Sequence, residues 1–96
     1  SGNITIKAGT TLTWVNETSN EPHTITFPPK GQPPPNINPF GPQIGGSTYD
    51  GTKLASSTAL RAGQRYSLTF TKPGAFKYYC LFHDNSGMVG TVTVTP

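Results

Sequence analysis

Apolar and polar residues alternate with a period of two along several short stretches of the chain. Because neighbouring side chains of a strand point to opposite faces of a sheet, this alternation is typical of half-buried β-strands. One or two further strands are expected between Thr48 and Leu60, and no stretch has the periodicity of a helix. Six clear strands are predicted, at Asn3 to Lys7, Thr11 to Asn16, His23 to Phe27, Arg65 to Thr71, Ala75 to Cys80 and Val89 to Thr95.

Turn-forming residues separate the predicted strands. Ala8-Gly9 ends the first strand, Ala62-Gly63 precedes the fourth, and Lys72-Pro73-Gly74 predicts a tight hairpin. Short strands joined in this way indicate an all-β chain folded as an antiparallel β-sandwich of about seven or eight strands. With no internal repeat and no domain boundary, we expect one domain over residues 1–96.

A long proline-rich stretch from Pro28 to Ser47 interrupts the strand pattern. Proline cannot donate a hydrogen bond to a central ladder, so this stretch predicts a long, stiff loop. One interpretation is an ordinary surface connection, which we favour because loops lie on the surface by default. The other is a cover or docking edge near a functional site.

The composition and charge of the chain disfavour some classes of function. Apolar residues make up 32% of the 96 positions, but five Phe, four Tyr and one Trp are enough for one compact core. Seven Lys and Arg against four Asp and Glu give a scattered charge of +3, which does not support nucleic-acid binding. It favours, weakly, an acidic protein partner or an anionic membrane surface. No stretch approaches the ~20 apolar residues of a membrane span.

The residues that carry chemistry are few and clustered. The chain has two histidines, one cysteine and one methionine, and Cys80, His83 and Met88 lie within nine residues of each other. Together with His23 they supply two imidazoles, a thiolate and a thioether, the donor set of blue-copper electron-transfer sites. Zinc accepts two His and one Cys but gains little from a thioether. The four residues therefore predict one copper site.

Strand alternation supports this assignment. Cys80 shares a face with Phe76 and Tyr78, so its thiol is predicted to point inward. By the same argument His23 lies on the face of Ile25 and Phe27, opposite Thr24 and Thr26, and Met88 on the face of Val92 and Val94. His83 follows Cys80 in a turn, where it is expected to close the site from the rim.

Each candidate ligand has a simpler interpretation when taken alone. A lone cysteine is often a small buried apolar residue, a lone histidine a hydrogen-bonded structural residue, and a lone methionine core filler. Taken together, these interpretations require the chain's rarest residues to fall into the spacing Cys-x2-His-x4-Met by accident. We therefore favour the joint metal site.

At this point the sequence resembles the blue-copper, or cupredoxin, family, of the plastocyanin and pseudoazurin type. The resemblance covers nearly the whole chain and implies a Greek-key β-sandwich with one type 1 copper that cycles between Cu(I) and Cu(II). It also implies an extracytoplasmic location, whether periplasmic, thylakoid-lumen-like or at the cell surface. The residues that carry it are Lys7 to Asn16, Pro22-His23-Thr24, Tyr78 to His83 and Gly87 to Val92.

Three departures from the family pattern affect the site. Thr24 stands where these proteins commonly have an Asn that braces the ligand loop, so that hydrogen bond is replaced or lost. Phe82 stands where plastocyanin and pseudoazurin typically have Pro, which makes the rim near His83 more aromatic. The proline-rich loop replaces a region that carries a short helix and acidic residues in plastocyanin, so partner docking does not carry over.

The predicted function is electron transfer by a monomer that is not an enzyme, with redox proteins as partners and no nucleic acid. Electrons are expected to leave through the edge of His83, ringed by Phe82, Pro22 and Leu12, with Tyr79 as a second exit. One alternative is a non-redox copper carrier or sensor module of a larger membrane-associated protein, anchored outside the chain. Another is a thiol enzyme that uses Cys80 as nucleophile, which the inward parity of Cys80 disfavours.

Two sequons, at Asn3 and Asn16, permit glycosylation in a secretory setting and are weak support for export.

Overall fold

The structure, a computed structural model, describes residues 2–18, 21–82 and 88–96, with Met88 described by its backbone. Eight strands are present in these ranges, and none of their residues is helical. This confirms the expected all-β sandwich of seven or eight strands. The strands are β1 (Ile4–Lys7), β2 (Thr11–Val15), β3 (Thr26–Phe27), β4 (Thr48–Tyr49), β5 (Ala55–Ser56), β6 (Arg65–Phe70), β7 (Gly74–Tyr79) and β8 (Met88–Thr95).

The strands form two sheets with an aromatic core between them. One sheet has the order β1-β8-β7-β3-β5 and the other the order β2-β6-β4. Phe27, Leu68, Phe70 and Val92 are fully buried between the sheets. The ring of Phe27 lies 4.9 Å from that of Tyr78 and 5.3 Å from that of Phe70, measured between centroids. Because large rings bury much apolar area each, a chain with 32% apolar residues still builds a core.

The sandwich is not wholly antiparallel, so that part of the prediction was wrong. β1 pairs with β8 in parallel, and β4 pairs with β6 in parallel. Period-two alternation reports which face a side chain takes but carries no information on strand direction. At the β1–β8 edge, Gly90 packs against the backbone of Gly2, where any side chain on Gly90 would collide with the Gly2 carbonyl group.

The predicted hairpin at Lys72-Pro73-Gly74 was also wrong. This turn leaves β6 in the three-stranded sheet and enters β7 in the five-stranded sheet, so it crosses the sandwich. Gly74 has a φ of 150°, and an added Cβ there would lie 2.8 Å from the Phe76 ring. A Pro-Gly turn signal fixes a reversal of the chain but not the sheet that the next strand joins.

The predicted strand from His23 to Phe27 is shorter in the structure. Only Thr26–Phe27 joins the ladder, where Thr26 pairs with Ser56 on one side and Tyr79 on the other. His23 makes an isolated bridge to Leu60 instead. The chain therefore joins the sheet only after His23, which places this histidine at the end of the sandwich.

No described segment forms a helix of the length and hydropathy that crossing a membrane requires.

Candidate metal centre

Cys80 lies directly after β7, with its side chain turned into the sandwich. The alternation along β7 is as predicted: Phe76 and Tyr78 are buried, whereas Lys77 is exposed. Cys80 continues the buried series at 5% exposure and forms no disulfide. The inward orientation predicted for the thiol is confirmed, and it leaves little surface for a bulky substrate.

His23 reaches the same place from the other side of the cavity. Two backbone hydrogen bonds fix it, from His23 N to Leu60 O (3.1 Å) and from Leu60 N to His23 O (2.7 Å). Its Nδ1 lies 3.9 Å from the Sγ of Cys80. Metal–sulfur and metal–nitrogen bonds of about 2.3 and 2.0 Å at the ~120° angle of a trigonal site place two such donors roughly 3.7 Å apart. The observed separation fits two ligands of one metal ion.

Asn16 holds the segment that carries His23, a role not predicted from the sequence. Its Nδ2 donates to Glu21 O (2.8 Å) and to Leu60 O (2.7 Å), the same carbonyl that accepts from His23 N. Its Oδ1 accepts from Thr18 N (2.9 Å), and the residue is 5% exposed. A polar residue just beyond a strand end was the available signal. The side-chain amide of the Asn16 sequon is therefore buried and used in these hydrogen bonds, whereas Asn3 of the other sequon is exposed.

The cavity around the two donors is mostly apolar. Trp14 stands at its inner side, and its ring lies 5.7 Å from that of Tyr78. Leu12, expected at the rim, packs against the core and lines a different cavity beside Gly2. An apolar shell limits water around a thiolate and an imidazole, which is the setting that tunes a redox metal. The other apolar lining residues are Val15, Ile25, Leu60 and Val89, and the polar ones besides His23 and Cys80 are Asn16, Glu17, Thr18 and Thr24.

Thr24 braces the start of the ligand loop. Its Oγ1 accepts a hydrogen bond from the backbone N–H of Leu81, the residue after Cys80 (2.9 Å). The brace expected from Asn in the family is thus replaced here by a threonine hydroxyl. Hydrogen bonding next to the thiolate orients the ligand and adjusts its electronic properties.

A line of buried hydroxyls continues from this brace. Thr26 Oγ1 donates to Thr24 Oγ1 (3.1 Å) and lies 2.9 Å from Ser56 Oγ, which accepts from Thr58 N (3.0 Å). Alternation placed Thr24 and Thr26 on the face opposite the core, yet they are 1% and 0% exposed. Neighbouring segments cover that face too, and the hydroxyls satisfy one another there, so burial does not leave them unpaired. We call Thr24, Thr26 and Ser56, together with Thr58, whose backbone N–H donates to Ser56, the hydroxyl chain.

The proline-rich loop lies on the surface, as favoured, and it also contacts the ligand loop. The ring of Phe40 is 5.0 Å from that of Phe82, two residues after Cys80, and 60% of Phe40 is exposed. Ala59 N donates to Pro39 O (2.7 Å), which ties the loop to the segment that ends the hydroxyl chain. The loop therefore forms one edge of the metal end of the molecule.

Two predicted ligands are not placed by the structure. His83 and the side chain of Met88 lie outside the described residues, so their ligation stays a prediction. In the β7–β8 ladder, Tyr78 pairs with Gly90 but Tyr79 pairs with Met88, so the register shifts between these two pairs. Because of this irregularity, counting alternate residues back from Val92 does not determine the face of the sheet on which Met88 lies. Within residues 2–18, 21–82 and 88–96, no three His, Cys, Asp or Glu side chains gather into a metal-binding group.

Comparison with known proteins agrees with this geometry. The profile of the copper-binding proteins of the plastocyanin/azurin family matches residues 1–95. Plastocyanin from Scenedesmus fuscus is 36% identical over 92 residues, which cover 95% of this chain and 80% of the relative. Plastocyanin from Nostoc punctiforme is 35% identical over 99 residues, with 95% and 60% coverage. Against chloroplastic plastocyanin from Oryza sativa subsp. indica the identity is 34%, and the chain spans 51% of that relative.

Solved structures give the same result. A reduced, Cu(I) amicyanin mutant at pH 4 superposes with a TM-score of 0.69 at 25% identity, covering 99% of this chain and 70% of that one. A second Cu(I) amicyanin mutant has a TM-score of 0.66 at 26% identity, with the same coverage. A profile match along nearly the whole sequence, with relatives above 30% identity, shows that the chain belongs to the copper-binding plastocyanin/azurin family: it is a blue-copper electron carrier and not an enzyme.

Proposed function

We propose that His23, Cys80, His83 and Met88 hold the single type 1 copper of this domain, and that residues 1–96 form one such domain. The observation that carries the proposal is the 3.9 Å separation between Cys80 Sγ and His23 Nδ1 in an apolar cavity. When bound, copper supplies a one-electron couple between Cu(I) and Cu(II). His83 would supply the second imidazole donor and Met88 a weak thioether donor.

The protein's own part in electron transfer is to keep its donors in place. His23 is fixed by Leu60 and Asn16, and the amide after Cys80 is fixed by Thr24. These hydrogen bonds hold the backbone beside both candidate donors. Preorganised ligands move little between oxidation states, which favours fast electron exchange.

We further propose that electrons enter and leave mainly at the edge of His83. Phe82 and Pro22 are both partly buried at this end of the molecule, and Phe40 adds a third apolar side chain beside Phe82. A small, largely apolar contact surface suits a brief encounter between redox proteins. The partner is a redox protein, and the domain meets it as a monomer.

The similarity to plastocyanins also supports an extracytoplasmic location, because chloroplastic plastocyanins are among the relatives. A membrane anchor outside these residues, if the full-length protein carries one as we propose, would hold the domain near its partners. We propose the periplasm, a thylakoid-type lumen or the cell surface as its compartment.

The test is Cu(II) titration of the purified domain, followed by optical and electron paramagnetic resonance spectra. We expect one equivalent of copper to give an intense blue thiolate-to-copper band. Cys80→Ser should abolish the band, and His83→Ala should weaken binding. Met88→Leu should keep the blue colour and change the reduction potential, since the axial ligand tunes it.

Two outcomes would overturn the proposal. One is a colourless wild-type protein that prefers zinc. The other is a blue protein that exchanges electrons slowly with itself yet gives its copper readily to a chelator, as a non-redox copper carrier would do.

A further inference from the structure

The hydroxyl chain runs from β5 over β3 to the start of the ligand loop. It links Ser56 on β5 to Thr26 on β3 and then to Thr24, whose oxygen also accepts from the Leu81 amide. Ser56 and Thr26 are 0% exposed and Thr24 is 1% exposed. Because such deep burial limits contact with solvent, the neighbouring protein groups decide in which direction each hydroxyl proton points.

The hydrogen bonds of the chain give it one direction. Thr26 donates its single hydroxyl proton to Thr24 Oγ1 (3.1 Å), so the 2.9 Å contact between Thr26 and Ser56 uses the proton of Ser56. Ser56 Oγ in turn accepts from Thr58 N (3.0 Å), and a backbone N–H can only donate. The O–H bonds of Ser56 and Thr26 therefore point, one after the other, toward Thr24.

A strained residue holds the remote end of the chain. Thr58 has a φ of 54°, in the left-handed region that a branched residue rarely adopts. Its hydroxyl lies 2.7 Å from Gly41 O, which ties this conformation to the proline-rich loop. Such strain persists only where the surroundings hold it, and it is common where a structure serves function. Here the strained backbone directs Thr58 N–H at the Ser56 side chain, which gives the chain its direction.

We propose that this oriented chain stabilises Cu(I) and so raises the reduction potential, with Thr26 and Ser56 as positioning residues. The proposal rests on the copper function proposed above. The Thr26 O–H dipole turns its positive end toward Thr24, which follows His23 and holds the amide after Cys80. Gain of one electron from the redox partner makes the site more negative, and positive dipole ends favour that charge. Burial strengthens the effect, and hydrogen bonds in series polarise one another.

The test compares two substitutions of Thr26 in the copper-loaded protein. Thr26→Val keeps the shape but removes the O–H dipole, so the equilibrium constant for reduction by a fixed mediator should fall roughly two- to fivefold. Thr26→Ser keeps the hydroxyl and should stay near the wild-type value. Ser56→Ala removes the donor to Thr26 and should lower the constant by a smaller factor, which provides a second measurement if Thr26→Val does not fold.

Two readouts in the copper-free protein separate this effect from a movement of the ligand loop. Exchange of the Leu81 amide should stay slow in Thr26→Val, because Thr24 still accepts from it. In the wild type, the nuclear Overhauser effect of the Thr26 hydroxyl proton should be stronger to Thr24 than to Ser56, because that proton points toward Thr24.

The opposite pattern of Overhauser effects would overturn the proposal, since the chain would then point away from the metal end. An equal fall of the equilibrium constant in Thr26→Val and Thr26→Ser would also overturn it, because lost packing would then be the cause. So would an unchanged or increased constant in Ser56→Ala and Thr26→Val. A colourless wild-type protein refutes the copper function instead, and the orientation of the hydroxyl protons is still measured without copper.

Discussion

Thr24 shows how one side chain serves both folding and the metal site. It is almost fully buried, and its hydroxyl accepts from the Leu81 amide and from Thr26. An unpaired buried amide next to Cys80 would be costly, and the ligand loop would be free to shift. Thr24 is therefore a positioning residue that acts on the thiolate through the backbone.

Replacing the hydroxyl with a methyl group isolates this role. Thr24→Val keeps the shape of the side chain but leaves Leu81 N–H and Thr26 O–H without their acceptor. We expect the copper-free protein to lose about 1–3 kcal/mol of unfolding free energy in urea. The Leu81 amide should exchange faster with solvent, and the reduction potential of the copper-loaded protein should shift.

Thr24→Ser is the matched control because it keeps the hydroxyl. It should retain slow exchange at Leu81 and a potential close to that of the wild type. A Thr24→Val protein with unchanged Leu81 exchange would show that the hydrogen bond does not position the loop.

The sequence pointed to the candidate ligands more readily than to the residues that support them. Cys80 and His23 stood out because the chain has one cysteine and two histidines, and alternation gave the thiol its correct face. Asn16 and the hydroxyl chain could not be found that way. Asn, Ser and Thr are common and usually exposed, and only the path of the backbone shows which of them face buried amides and carbonyls.

At the scale of elements, the proline-rich loop links the metal end to the sheet. Phe40 contacts Phe82, and the Arg61 guanidinium lies 5.8 Å from the Phe40 ring centre. Thr58 takes a left-handed backbone conformation (φ 54°) that is unusual for a branched residue, and its hydroxyl lies 2.7 Å from Gly41 O. The loop thus contacts the ligand loop at Phe82 and, at a second point, the segment 58–61.

Removing the aromatic contact should loosen that edge. Phe40→Ala removes a ring pair worth roughly 0.5–1.5 kcal/mol, and it uncovers Phe82. We expect a small loss of stability of this order and faster removal of copper by an added chelator. The measurement is the rate at which the blue colour disappears.

Pro34→Ala, at an exposed position of the same loop, serves as the control and should release copper at the wild-type rate. If both variants lose copper equally fast, the effect comes from general loosening of the loop and not from the Phe40–Phe82 contact.

Strand number, the two-sheet class and most strand bounds followed from the sequence, because alternation and turn residues act locally. Strand direction and sheet membership did not. The turn at Lys72 to Gly74 crosses between sheets, and β4 and β5 are only two residues long each. Such short strands carry too few residues for a period to be recognised, and long-range packing decides where they pair.

At the scale of the whole molecule, buried tyrosines in the core make stability depend on alkaline pH. Burial, with Asp50 adding to it, raises the pKa of Tyr49 to about 12. Burial also raises the pKa of Tyr66 well above its usual value of 10.0. The Tyr66 hydroxyl has no hydrogen-bond partner among the described residues.

The unfolded chain releases these protons near pH 10, whereas the folded chain keeps them to higher pH. Between about pH 10 and 12 the unfolded state therefore binds fewer protons, and the free energy of unfolding falls as pH rises. Below pH 10 this contribution is fully present. Urea denaturation across this range should show the fall.

Tyr49→Phe/Tyr66→Phe removes both phenol groups. In this variant the free energy of unfolding should fall less steeply with pH above 10, and the remaining fall comes from other titrating groups. Tyr66→Phe alone should also raise stability at neutral pH by about 1 kcal/mol, because it removes a buried hydroxyl without a partner. An unchanged slope in the double variant would mean that these tyrosines do not set the alkaline limit.

The parallel pairing of β1 with β8 restricts the order in which the strands of the five-stranded sheet can pair. Ile4–Lys7 is synthesised early, but its partner Met88–Thr95 emerges only after all the strands between them. Until then β1 has no neighbour in its own sheet, since the order places β8 alone beside it. Bringing together segments so far apart costs loop-closure entropy. β1 thus cannot gain its ladder hydrogen bonds until β8 is present, and this pairing completes one edge of the five-stranded sheet that carries Cys80.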